Sequence, residues 1–247
     1  MLRVPEITVY FWIAKGLSTA MGEATSDYLV RSLGPVPAVL LGFVAFCASL
    51  ALQFSRRRYV ATTYWLTVAM VGVFGTMAAD VLHVGLGVPY IASTVLWAIV
   101  LGAVFLTWNR TEGTLSVHSV DTTRRELFYW ATVVGTFALG TAAGDLLAVT
   151  FSLGYAKSIV VFAVLILVPA IGFWRLHWSP VVSFWAAYVL TRPVGATVAD
   201  WIVKSRGAGG LAWPEGPFCL VLIAAIAVVV LHLQVTRKDV QQHDVRQ

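Results

Sequence analysis

The chain has 247 residues, of which 59% are hydrophobic and 12% are charged, and its formal net charge is +5. Soluble proteins hold roughly 45–50% hydrophobic and about 25% charged residues, so this composition excludes an ordinary soluble domain and indicates a polytopic membrane protein. The basic residues lie between apolar runs and form no single patch, which argues against a nucleic-acid partner.

Eight apolar segments are long enough to cross a bilayer, since a spanning helix needs about 20 mostly apolar residues. In chain order they are 8–32, 36–54, 60–84, 88–108, 127–152, 156–174, 180–204 and 214–235. The first carries Lys15, Glu23 and Asp27, so we predict a retained first span and no cleaved signal peptide. The predicted fold class is an all-α polytopic membrane protein.

A repeated template organises the odd-numbered spans. Each copy opens with an aromatic residue and Trp, has Gly five residues before an Asp, and places that Asp fifteen residues after the Trp. The Trp/Asp pairs are Trp12/Asp27, Trp65/Asp80, Trp130/Asp145 and Trp185/Asp200. The even-numbered spans are plainer, so each repeat is predicted to be a helical hairpin.

The repeats define the predicted domain organisation. We expect repeat 1 at 1–58, repeat 2 at 59–112, a connector at 113–126, repeat 3 at 127–178, repeat 4 at 179–236 and a tail at 237–247. Two spans per repeat make all the template helices point the same way, so the four hairpins are parallel repeats around a pseudo-symmetric centre.

Lys and Arg placement predicts the orientation. Eleven of these residues lie on the side of both termini and four on the other, so both termini should be cytoplasmic and the membrane the bacterial inner membrane. Each Asp then lies about 22 Å from its Trp along the helix, in the outer third of the bilayer.

The template glycines and tryptophans have structural interpretations. Gly and the small residue before each Asp are four apart, a spacing that lets helix backbones approach closely. We interpret this face as a packing seam. The four Trp residues (Trp12, Trp65, Trp130 and Trp185) are interpreted as interfacial anchors, with direct substrate stacking as the alternative.

The four Asp residues are the candidate functional groups. Helical geometry turns each Asp about 100–140° away from the packing seam, toward whatever the template helices enclose. One turn earlier on that face stand Glu23, Thr76, Thr141 and Ala196. The alternative is that each Asp is only an interfacial residue near a helix end, although the negative end of the helix dipole makes it a poor cap.

The charge count favours a bound cation. The template spans hold five acids, Glu23, Asp27, Asp80, Asp145 and Asp200, against two bases, Lys15 and Arg192, which leaves three carboxylates without a counterion. Such groups must bind protons, share protons or coordinate a cation. Oxygen ligands suit Mn²⁺, Mg²⁺ or Ca²⁺, so Asp27, Asp80, Asp145 and Asp200 are the candidate metal ligands.

Two further residues modify this set. His83 follows Asp80 by three residues, which on an α-helix places it on the same face and makes it an auxiliary ligand or a plain interfacial residue. Arg192-Pro193 occurs in the fourth copy alone. We predict that the Arg192 guanidinium neutralises an acid on a neighbouring span, Glu23 or Asp27.

The opening segment VPEITVYFWIAKGLSTAMGEATSDYL and the tandem two-helix repeats, each with its Trp, resemble a family of bacterial membrane proteins. That family is a four-copy repeat of unknown function, and its members are often labelled membrane-anchored proteins. The resemblance covers nearly the whole chain. It implies eight spans and an inner-membrane location, and it supplies no reaction or substrate.

The residues together predict a cation transporter that exchanges a divalent metal such as Mn²⁺ for protons, with Glu23 and the four Asp residues as the binding and relay set. The transported ion and protons and the lipid bilayer are the predicted partners, and we expect no cofactor. A transporter of a small cationic or zwitterionic organic solute and a non-transporting assembly or sensor protein are the alternatives. No catalytic motif is present, so we predict that the protein is not an enzyme.

Overall fold

The computed structural model describes residues 2–240, in which the chain forms eight long α-helices and no β-strand. The helices, numbered in chain order, are α1 (Val9–Leu33), α2 (Pro35–Phe54), α3 (Ala61–Asp80), α4 (Tyr90–Glu112), α5 (Thr123–Asp145), α6 (Gly154–Arg175), α7 (Pro180–Val203) and α8 (Glu215–Thr236). This confirms the predicted all-α fold. The last part of the predicted tail, 241–247, lies outside the described residues.

Seven of the described helices, α2 to α8, are long and apolar enough to cross a membrane. The eighth, α1, has 25 residues and carries Lys15, Glu23, Asp27 and Arg31. It packs beside the other template helices, so Lys15 and Glu23 are buried inside the helix bundle, whereas Arg31 is exposed near the helix end. The composition of α1 therefore reflects its central position.

Helix ends differ from the predicted spans mainly at the connector. Helix α4 continues to Glu112 and α5 begins at Thr123, each about a turn beyond the apolar run. Polar residues there still make helical backbone hydrogen bonds, and the Thr122 hydroxyl caps α5 by accepting a bond from Arg125 N at 3.3 Å. The apolar pattern of the sequence does not detect terminal helical turns that are made of polar residues.

The template helices α1, α3, α5 and α7 form a closed inner ring, in which each packs against the next and α7 packs against α1. The even-numbered helices lie outside: α2 packs on α3, α4 on α5, α6 on α7 and α8 on α1. Each outer helix thus covers mainly the template helix of the following repeat. The arrangement confirms four tandem hairpins around a pseudo-symmetric centre.

Small residues let the ring close tightly. A Cβ added at Gly22 would lie 2.7 Å from the carbonyl carbon of Gly72, and one added at Gly195 would lie 1.9 Å from the Thr19 hydroxyl oxygen. The other two template glycines, which face α5 and α7 in the same way, are Gly75 and Gly140. The predicted packing seam is confirmed, since any side chain at these positions would separate neighbouring helices.

The connector is docked on the ring. Val117 and Val120 are buried, the Trp185 indole donates to the carbonyl oxygen of Leu115 at 2.9 Å, and Arg3 N donates to the carbonyl oxygen of Val120 at 2.9 Å. The connector therefore covers the end of the ring that carries the termini, which we call the terminal end. The other end, where the four Asp residues lie, is called the carboxylate end.

Candidate cation-binding site

The inner face of each template helix presents one residue per turn to the centre of the ring. Positions four apart share a helix face, so counting back from each Asp in steps of four gives successive layers. The carboxylate layer is Asp27, Asp80, Asp145 and Asp200, and the layer one turn below it is Glu23, Thr76, Thr141 and Ala196. These two layers contain most of the predicted site residues.

Arg192 occupies the centre of the lower layer. Its Nη2 donates to Glu23 Oε2 at 2.6 Å, to Thr141 Oγ1 at 2.7 Å and to Thr76 Oγ1, while Nη1 donates to the carbonyl oxygen of Thr19 at 3.0 Å. The Arg192 side chain is fully buried. We call this group, with Glu23, Thr76 and Thr141, the arginine layer. The structure pairs Arg192 with Glu23, one of the two acids predicted for it.

The arginine layer links all four template helices. Thr76 and Thr141 each accept from Arg192 and lie 3.4 Å from Glu23 Oε2, so their hydroxyls can donate to the carboxylate. The fourth position is Ala196, which is buried and carries no polar group. A Cβ at Gly140 would lie 2.3 Å from Arg192 Cγ, so glycine is required there too. The layer closes the axis of the ring.

The carboxylate layer is divided into two unlike pairs. Asp27 contacts Lys204 Nζ and lies 3.4 Å from Arg31 Nη2, and Asp200 lies 3.3 Å from the same Lys204 nitrogen. Arg31 also binds Glu215, at 2.7 Å. The acids of repeats 1 and 4 therefore have basic partners. The predicted excess of three carboxylates is wrong, because Lys204, which that count omitted, pairs with both Asp27 and Asp200 and leaves two acids without a base.

Asp80 and Asp145 form the other pair. Within residues 2–240 neither carboxylate makes an ion pair or accepts a hydrogen bond, and both side chains are partly buried. A single π-helical turn follows each of them directly, at Val81–Gly85 and Leu146–Thr150. The wider turn ends the α-helical hydrogen-bond ladder at these two acids, whereas α1 and α7 continue as α-helix past theirs. Such π-turns are frequent at functional sites.

The predicted metal ligands do not form a chelating group. Among the described residues no three His, Cys, Asp or Glu side chains lie close enough together to hold a metal ion. The structure therefore gives no support to Asp27, Asp80, Asp145 and Asp200 as a metal-binding set, although they do share one layer.

His83 lies in the π-turn after Asp80. Its Nδ1 is 2.7 Å from the carbonyl oxygen of Val88, and its ring stacks on Tyr90. The geometry that put His83 on the Asp80 face was that of an α-helix, which the π-turn interrupts. His83 thus packs within the loop after α3, and its role as an auxiliary ligand stays a prediction.

The template tryptophans lie at the terminal end, far from the carboxylates. Trp65, Trp130 and Trp185 are at most 5% exposed and pack in an aromatic cluster with Tyr64 and Tyr129. Trp12 is half-buried against Phe11 and Phe184. Three of the four side chains therefore lie in the bundle interior, where they are not exposed as interfacial anchors would be. Substrate stacking by these residues stays a prediction.

Lys15 lies between the arginine layer and this aromatic cluster. It is fully buried, with Nζ 3.9 Å from the ring centroid of Phe137 and 4.0 Å from that of Tyr188. Its Nζ donates no hydrogen bond within the described part of the chain. Lys15 therefore interacts with aromatic ring faces and neutralises no template acid.

The terminal end of the ring is closed by side chains from several segments. Tyr64 and Tyr129 share a hydrogen bond in the centre, and Glu126 accepts from Arg3 at 2.6 Å and from Gln53 at 2.8 Å. Asp239, in the tail, binds the Tyr59 hydroxyl. In this conformation the carboxylate layer is separated from the terminal end by at least three packed layers.

Sequence reasoning missed Lys204, and one signal could have found it. The residue four after each template Asp is Arg31, Val84, Val149 and Lys204. Repeats 1 and 4 thus carry a base one turn beyond the acid, where an i,i+4 pair forms, and repeats 2 and 3 carry valine. Lys204 was counted as a loop residue because it lies at the end of the predicted span.

Comparison with known proteins finds one family. A family model described as a Repeat of Unknown Function (DUF347) matches four times, at residues 10–59, 63–114, 128–177 and 183–239. No curated protein and no solved structure matches the chain. Because the four matched copies coincide with the four hairpins and cover most of the sequence, the chain belongs to the DUF347 repeat family.

Proposed function

We propose that the protein is a bacterial inner-membrane cation transporter in which Asp80 and Asp145 exchange a cation for protons. The observation that carries the proposal is that these two acids, at equivalent positions of repeats 2 and 3, have no basic partner within the described residues. Each of the other three template acids has at least one: Arg192 for Glu23, Lys204 and Arg31 for Asp27, and the same Lys204 for Asp200. The proton or cation that neutralises the charge of Asp80 and Asp145 must therefore come from solution.

The energetics support exchange at these positions. A bare carboxylate at the centre of a membrane span costs about 2.5–3.5 kcal/mol even on the mild insertion scale. A carboxylate without a fixed partner lowers this cost by taking a proton or a cation. Two such acids facing one centre can alternate between a protonated and a cation-bound state. This alternation is what coupling cation movement to proton movement requires.

The arginine layer supports a gating role for Arg192. With both termini in the cytoplasm, the carboxylate layer lies toward the outside, and Arg192 and the aromatic cluster lie between it and the cytoplasm. An ion that crosses the protein must pass the level where Arg192 binds Glu23, Thr76 and Thr141. We infer that these bonds break and re-form in each transport cycle.

The closed ring bears on how alternating access is achieved. The template helices of repeats 2 and 3 pack against each other across the connector, and so do those of repeats 4 and 1. A movement of two rigid halves about the connector would have to break both of these interfaces. Local changes at the arginine layer and at the two π-turns are the more economical route.

The nature of the cargo follows from the same arrangement. A divalent metal, the cargo predicted from the sequence, requires several converging ligands, and the described residues form no such group. A cation that needs one or two carboxylates fits better. This favours the alternative cargo, a small organic cation. In this proposal the carboxylates recognise that cation and the tryptophans do not contact it.

The test is proton flux in proteoliposomes. Vesicles with an inside-acidic pH gradient and an internal pH dye are exposed to Na⁺, K⁺, methylammonium, Mg²⁺ or Mn²⁺ in turn. We expect at least one cation to collapse the gradient with wild-type protein and with Asp121→Asn, an exposed connector control, but not with Asp80→Asn/Asp145→Asn. The proposal fails if no cation elicits proton flux, or if the double variant matches wild type at equal protein content.

A further inference from the structure

The ammonium group of Lys204 lies where two template helices bring carboxylates together. Lys204 is the first residue after α7, and its Nζ contacts Asp27 Oδ2 on α1 and lies 3.3 Å from Asp200 Oδ1 on α7. The side chains of Asp27 and Asp200 are only 14% and 4% exposed. A single ammonium ion is therefore bound between two neighbouring helices of the inner ring.

The Lys204 ammonium does not satisfy both carboxylates with hydrogen bonds. Asp200 Oδ1 is buried and accepts no hydrogen bond from any described residue, although Lys204 Nζ is 3.3 Å away. The lysine reaches Asp200 from one turn further along the same helix, so its N–H groups do not point at that oxygen. An untethered ammonium has the same donors and can turn to face both carboxylates.

The Lys204 side chain can leave without unfolding α7. The backbone is fixed, because Lys204 N donates to the carbonyl oxygen of Asp200 at 2.8 Å and Lys204 O accepts from Ala212 N at 3.0 Å. The side chain is 25% exposed, and its four-carbon stem has several rotatable bonds. Displacement therefore moves only the ammonium and its stem, toward solvent.

The charge at this position is maintained by the acids. Burial alone would lower the pKa of Lys204, but the nearby carboxylates of Asp200 and Asp27 outweigh it and raise the pKa above its ordinary value. The two carboxylates thus favour a positively charged nitrogen between them. Repeats 2 and 3 have Val84 and Val149 at the equivalent positions, so this internal ammonium is a feature of repeat 4.

We propose that the Lys204 ammonium occupies the binding site of the transported cation, and that a cargo of the primary-ammonium class displaces Lys204 and binds between Asp27 and Asp200. The inference rests on the proposed transport function and adds to it the chemical class of the cargo. Asp80 and Asp145, in the same layer, then carry the exchanged protons. Displaced Lys204 would extend toward the solvent at the carboxylate end.

Chemical rescue tests the site with purified protein. Lys204→Ala leaves Asp27 and Asp200 without their ammonium, so its Tm should fall. Methylammonium chloride should restore at least half of that loss in a saturable manner. Tetramethylammonium chloride at the same ionic strength, which has no N–H donor, should not, and Lys204→Ala/Asp200→Asn should show no rescue. Equal effects of the two salts on Lys204→Ala would overturn the proposal.

A second measurement uses the wild-type protein and does not depend on the folding of a variant. Acetylation by a water-soluble acylating reagent is followed at Lys204 and, as a control, at Lys157, by peptide mass spectrometry. Because methylamine also consumes the reagent, the readout is the ratio of acetylation at Lys204 to that at Lys157, and methylammonium should raise this ratio severalfold. No increase in this ratio over a saturating titration would refute displacement.

The two proposals fail separately. Rescue and displacement without cation-dependent proton flux would leave the ammonium site standing and refute transport. Proton flux that depends on Asp80 and Asp145, without rescue or displacement by methylammonium, would leave transport standing and refute the assignment of Lys204.

Discussion

Removing the Arg192 guanidinium should strongly destabilise the ring. Arg192→Met keeps the length of the side chain but leaves Glu23 buried, 4% exposed, without a basic partner, and removes the donor to Thr76 and Thr141. Breaking one side of a buried ion pair costs about 3–5 kcal/mol, and each kcal/mol lowers Tm by about 2–4 °C in a chain of this size, so Tm should fall by about 6–20 °C.

The assay is a thermal melt in one detergent, followed by near-UV circular dichroism or by a thiol-reactive dye. Arg206→Met removes an exposed arginine from the nearby loop and serves as the control, with a shift close to zero. Glu23→Gln/Arg192→Met should melt above Arg192→Met, because the double variant no longer buries an unpaired carboxylate. Equal melting of Arg192→Met and Arg206→Met, or strictly additive effects of the two substitutions, would refute the reasoning.

Three other variants probe different parts of the ring. Gly140→Ala should lower Tm, because the new methyl group would meet Arg192 and such overpacking costs about 1–3 kcal/mol. The control is Gly102→Ala, at a position with open space, which should leave Tm unchanged. Lys15→Met should leave Tm unchanged or raise it, because the buried Lys15 ammonium has no acceptor within the described chain; a large loss would contradict this. Burial raises the pKa of the Asp239 carboxyl, so the folded state binds the carboxyl proton more tightly than the unfolded state does. The stability from this proton is complete below the ordinary carboxyl pKa of about 4, and it is lost as pH rises through the raised pKa of the folded state. Asp239→Asn should therefore flatten the fall of Tm above about pH 4, and an unchanged slope would contradict the assignment.

The repeat was the part of the sequence with the most structural information. Four copies in phase predicted the hairpins, the parallel template helices and the glycine contacts, because each feature recurs with the same spacing and one packing rule explains all of them. The same phase placed Glu23, Thr76, Thr141 and the four Asp residues on one face, and the structure brings them to the centre of the ring.

The features that the sequence did not reveal depend on where a helix lies or ends. Trp at the start of a hydrophobic span fits an interfacial belt as well as a packed interior, and only the closed ring distinguishes the two. Lys204 is the last residue of a predicted span and was assigned to the basic residues of the following loop, so its pairing with Asp27 was not predicted. The π-turns after Asp80 and Asp145 arise from local backbone geometry, for which the apolar pattern gives no signal.

The central claim is that Asp80 and Asp145 release protons when a cation binds. Purified protein in a weakly buffered detergent solution is titrated with methylammonium chloride while a pH electrode or a soluble dye records proton release. We predict saturable release from wild type and none from Asp80→Asn/Asp145→Asn. Release of the same number of protons by the double variant would contradict the account.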